Sequence, residues 1–175
     1  MLEDFPNKIG LIMWVEKLAR NIAIIGGIVL FAIALMSVIS IIGRVGIAIG
    51  LSPILGDFEL VEAGMAFVIA SFMPYAQLHK SHAQVTILTD RFGVIANRII
   101  DLISDMLMLV IALVLSWQTT LGAFDKYQYS ETSFILQYPL WWAYGATLIG
   151  LFIWVIVALW CVEKSLLAFG KGNVN

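Results

Sequence analysis

Residues 22–42 form a run of 21 amino acids without a single charge. A helix rises about 1.5 Å per residue, so such a run covers roughly the 30 Å hydrocarbon core of a bilayer. No water reaches the backbone there, and only helices and closed barrels satisfy all of its N–H and C=O groups. Further uncharged stretches occupy residues 63–78, 106–124 and 139–162. Barrel strands need only about 9–11 residues of alternating polarity, and these stretches are longer and continuously apolar. The pattern predicts an all-α membrane protein with four transmembrane helices, at about 22–42, 58–78, 99–122 and 139–162. Composition agrees. Of 175 residues, 61% are hydrophobic and 13% charged, against about 25% charged in soluble domains, and mean hydropathy is +0.96.

The segments between the runs set the expected topology. Lysine and arginine fall as Lys8, Lys17 and Arg20, then Lys80, Arg91 and Arg98, then Lys164 and Lys171 on one side, with only Arg44 and Lys126 on the other. The positive-inside rule places both termini and the middle loop in the cytoplasm, an N-in/C-in arrangement. Pro139 suits a first helical turn, and Trp141, Trp142, Tyr144 and Trp160 mark the two interfaces of the fourth span. Pro74 should free a carbonyl and kink the end of the second. Residues 1–20 carry Glu3, Asp4 and Glu16 and no small-residue cleavage pattern, which argues against a signal peptide. Two readings fit residues 8–20: a short helix lying along the interface, or an extension of the first span. The expected organisation is an N-terminal segment 1–20, a membrane domain 21–165 and a cytoplasmic tail 166–175.

Few residues are available for chemistry. Net charge is −2, which gives no reason to expect a nucleic-acid partner. Cys161 is the single cysteine and reads as apolar filler. Glu59 and Glu62 share one face at the start of the second span, where the helix dipole favours carboxylates; a polar contact with Arg44 or with a partner subunit is the functional reading. Asp101 and Asp105 begin the third span beside Arg98. Asp105 lies deeper, should face protein or water, and is the candidate for an interhelical contact. His79 and His82 are the only histidines, both in the loop LHKSHAQVTILTDRF, and a metal site from His79, His82 and Asp90 is far less expected than solvated polarity. No phosphate-binding glycine loop, GxSxG elbow or HExxH pair occurs, so neither an enzyme nor a cofactor is expected.

The order of these features resembles a known family. Arg44 follows the first span; DFELVEAG opens the second with Glu59 and Glu62; His82, Val85 and Asp90 follow it; Pro139 and paired tryptophans open the last. This is similar to the small membrane subunit of tripartite ATP-independent periplasmic (TRAP) transporters. The family's tryptophan before the first carboxylate is absent here, and Ser81 stands where a glycine precedes the histidine. The resemblance implies a scaffold subunit in a bacterial inner membrane. It would partner a large multi-span subunit that binds substrate and sodium, together with a periplasmic substrate-binding protein, to import an organic acid. On this reading Arg44, Glu59, Glu62, His82, Asp90 and Asp105 are candidate subunit-interface or structural polar contacts, and lipids are the remaining partner. A redox anchor would need histidines on facing spans, and a small proton-coupled exporter would need a central carboxylate. A membrane-assembly factor would share the scaffold's physics.

Overall fold

The structure, a computed structural model, describes residues 4–79 and 94–170. Its long elements are α1 (Asp4–Val45), α2 (Asp57–Leu78), α3 (Val94–Gln128) and α4 (Trp141–Gly170), and a short 3-10 turn, Gly46–Ile49, follows α1. All four helices are long and apolar enough to cross a membrane. The described residues form no strand, only an isolated bridge between Thr132 and Pro139.

The helices outrun the apolar stretches. α1 has 42 residues, roughly 60 Å and about twice the hydrocarbon thickness. It runs unbroken through residues 8–20, so the structure takes the second of the two open readings and extends the first span as one helix. Pro6 falls in the first turn, where the missing N–H removes no intrahelical bond. α4 likewise stays helical to Gly170, past the expected start of the tail. Charges such as Glu16, Lys17 and Arg20 mark where a helix leaves an apolar phase, which is not where its hydrogen bonding stops.

The helices pack as an open row, in the order α1, α2, α4, α3. α2 lies between α1 and α4, and α4 between α2 and α3. α1 reaches α4 through a smaller contact, with Val15 and Ala19 buried together with Val157. Small residues set the crossings. A Cβ on Gly26 of α1 would stand 2.7 Å from the Ser71 Cβ of α2, and one on Gly64 would strike the end of Ile33. Helix association in lipid depends on such close packing because lipid tails provide no hydrophobic expulsion.

The α2–α4 crossing is closest. Pro74 is fully buried and cannot donate to the Ala70 carbonyl one turn earlier. A Cβ on Gly150 of α4 would lie 2.9 Å from that carbonyl oxygen and 2.8 Å from its carbon. Only glycine lets the two backbones meet there. Around them Ala70, Ala112, Leu151 and Trp154 form the central core, with Met73, Met108 and Val155 against it. Large apolar side chains elsewhere, such as Ile28, Phe31, Ile103 and Trp117, are well exposed, as lipid-facing surface should be.

Candidate functional site

Polar side chains gather at the two ends of the row. At the end where α1 finishes and α2 begins, Arg44 Nη2 donates to Asp57 Oδ2 at 3.0 Å. Ser40 Oγ, one turn earlier on α1, donates to the same oxygen at 2.5 Å. The other Asp57 oxygen accepts the Phe58 N–H at 2.9 Å, and the Arg44 guanidinium lies 5.2 Å from the Phe58 ring centre. Arg44 thus pairs with Asp57, and with neither Glu59 nor Glu62. Asp57 was the residue missed by sequence reasoning. The sequence does carry a signal for it: Asp57 follows a glycine just before the second apolar run, and Ser40 and Arg44 stand four apart at the end of the first.

Glu59 has a different task. Its Oε1 accepts the Ile135 N–H at 2.7 Å and its Oε2 the Leu136 N–H at 3.0 Å, while Tyr138 donates its hydroxyl to the Glu59 carbonyl at 3.4 Å. These bonds moor the loop between α3 and α4 onto the start of α2. Within that loop Ser133 N–H donates to the Tyr138 carbonyl, and Ser130 and Gln137 hold positive φ angles of 50° and 57°. Leu136 rests where a Cβ on Gly56 would be, which gives a steric reason for glycine there. Lys126 donates to Glu131 at the loop's beginning. The tip is left open, with Phe134 91% exposed.

Glu62 stands one turn further along α2, exposed at a cleft of about 540 Å³. The cleft forms where α2 and α3 diverge over α4. Glu62, Ala63 and Ala66 line one wall, Thr119 the other, and Tyr144 and Thr147 the floor, with the moored loop above. Burial, then the negative charges of Glu59 and Glu62, push the Tyr138 phenol above its usual range, so it stays a neutral donor.

At the opposite end Asp105 of α3 is 7% exposed and accepts the Ser165 hydroxyl of α4 at 2.5 Å. Nearby, Trp154 Nε1 donates to Gln77 Oε1 at 2.6 Å, which ties α4 to α2. Arg98, Asp101 and Lys164 line a smaller cleft beside them. His79 packs edge-on against Tyr75 with ring centres 4.2 Å apart. His82 and Asp90 lie outside the described residues. Among the described residues no group of three or more His, Cys, Asp or Glu is arranged to hold a metal.

Four helices of this length and apolarity, with polar side chains tying helix to helix at their ends, define a multi-pass membrane protein. The family model of the DctQ component of tripartite ATP-independent periplasmic transporters matches residues 33–169, and the chain belongs to that family. The matched region takes in the last part of α1, the Ser40–Arg44–Asp57 cluster, the Glu59 mooring and both clefts. No curated protein and no solved structure matches the chain.

Proposed function

We propose that this chain is the small scaffold subunit of a sodium-driven importer of an organic acid. It works in a bacterial inner membrane with a large multi-span subunit and a periplasmic substrate-binding protein, both its tails facing the cytoplasm. The observation that carries this reading is the open row. The long-range polar contacts, such as Ser40 and Arg44 with Asp57, Glu59 with the α3–α4 loop, Trp154 with Gln77 and Ser165 with Asp105, tie the row to itself, while all four helices expose large apolar side chains. A moving transport domain needs a wall that does not move, and a row of helices enlarges such a wall and resists tilting. Arg44, Glu59 and Asp105 hold the wall in shape on this view, Glu62 meets the partner, and His82 and Asp90, which follow the second span in the sequence, add further polar contacts.

Extraction in mild detergent tests the reading. The tagged chain should bring down a large multi-span companion. Reconstituted uptake should need both membrane chains, the soluble protein and a sodium gradient. Uptake by either membrane chain alone would overturn it.

A further inference from the structure

We infer that the cleft beside Glu62 is the seat of a helix of the large membrane subunit, and that this helix brings a lysine or arginine to the Glu62 carboxylate. The inference rests on the proposed function and adds the place and chemistry of the contact.

Three other carboxylates of this end are engaged, and the exposed Asp125 does not line the cleft. Asp57 is held by Ser40 and Arg44, Glu59 by two backbone amides, and Glu131 by Lys126. Glu62 makes no hydrogen bond or ion pair with any described residue. The two cations of this end, Arg44 and Lys126, are thereby already neutralised. A carboxylate at the start of a membrane helix must face water or protein, and a partner that covers it must supply a counter-charge.

The shape of the cleft agrees. Ala63 and Ala66 leave its α2 wall low, and α3 stands away from α2 across the width of α4. Small residues of this kind admit a helix backbone to close range. Thr119 and Tyr144 line the same cleft and bring hydroxyl-bearing side chains to it. The roof is fixed in advance by the Glu59 mooring, so a docking helix meets a preformed wall.

The test uses the tagged chain co-expressed with its large subunit and extracted in mild detergent. Glu62→Lys should lower the recovered large subunit about tenfold or more, and Glu62→Gln less, because losing one partner of a covered charge pair is costly and reversing it costlier still. Ala66→Leu, which fills the cleft without changing charge, should also lower recovery. Glu62→Asp should keep most of it. One Lys→Glu or Arg→Glu change in the large subunit should restore recovery with Glu62→Lys. Size-exclusion profiles of the variants alone check that each folds. Full recovery with Glu62→Lys and Ala66→Leu would overturn the inference. So would native mass spectra showing phosphatidylethanolamine lost from Glu62→Lys while the large subunit stays bound, since the occupant would then be a lipid. Failure of the unaltered chain to recover any large subunit would instead remove the proposed function itself.

Discussion

Asp57 joins two helices through a single carboxylate. One oxygen accepts from both Ser40 and Arg44 of α1, and the other accepts the Phe58 N–H in the first turn of its own helix. Asp57→Ala should therefore release Arg44 and loosen the α1–α2 corner. The variant should lose a few degrees of Tm in detergent, and adding Arg44→Ala should cost little more, since both remove the same contact. A double-mutant cycle by thermal unfolding checks this; additive losses would contradict it. Trp154→Phe argues the same way at the buried Gln77. An aromatic ring is kept, though a smaller one, but the indole N–H is gone and the Gln77 carbonyl is left without its donor. An unsatisfied buried polar group costs about 1–3 kcal/mol, so the loss should exceed that expected from ring size alone. Of these contacts, the value of a carboxylate near position 59 was legible in the sequence, because a helix start favours acids. Its partner was not, because Ile135 and Leu136 offer only backbone amides, and backbone amides leave no mark on composition.

Between elements, glycine decides which helices touch. The four spans were legible because long uncharged runs have one solution in lipid. Their order in the row was not. Nothing in the spacing of residues 139–162 singles out Gly150 from Gly145, yet a Cβ on Gly145 meets nothing within 4 Å, while one on Gly150 meets the Ala70 backbone. Pro74 was legible as a residue that frees a carbonyl; that the freed carbonyl faces Gly150 needed the packing. Gly150→Ala should cost about 1–3 kcal/mol, the usual penalty of overpacking, because a backbone cannot swing aside as a flexible side chain can. Gly145→Ala should be close to neutral and serves as the control. Unfolding of both variants in the same detergent measures the difference, and equal stabilities would refute the role given to the Gly150–Ala70 crossing. Helix ends were harder to read than helix centres for a related reason. Lys8, Glu16, Lys17 and Arg20 lower hydropathy without interrupting hydrogen bonds, so α1 continues through them to Asp4.

For the whole molecule, the distribution of cations should set how the row sits in a membrane. Eight lysines and arginines fall on the side of both tails and the middle loop, and two on the side of Arg44 and Lys126. Those two are tied to Asp57 and Glu131, which further weakens the net positive charge of that side. Retention of lysine and arginine on the cytoplasmic side then favours an N-in/C-in topology, with the Glu59-moored loop and the Glu62 cleft facing the periplasm. Single-cysteine variants in a Cys161→Ser background test this with a membrane-impermeant thiol reagent on intact cells. Phe134→Cys, at the exposed loop tip, should label readily, whereas Lys8→Cys and Lys171→Cys should label only after the cells are opened. Labelling of a tail position in intact cells would reverse the row. It would move the Glu62 cleft to the cytoplasmic side, away from any substrate-binding protein that works in the periplasm.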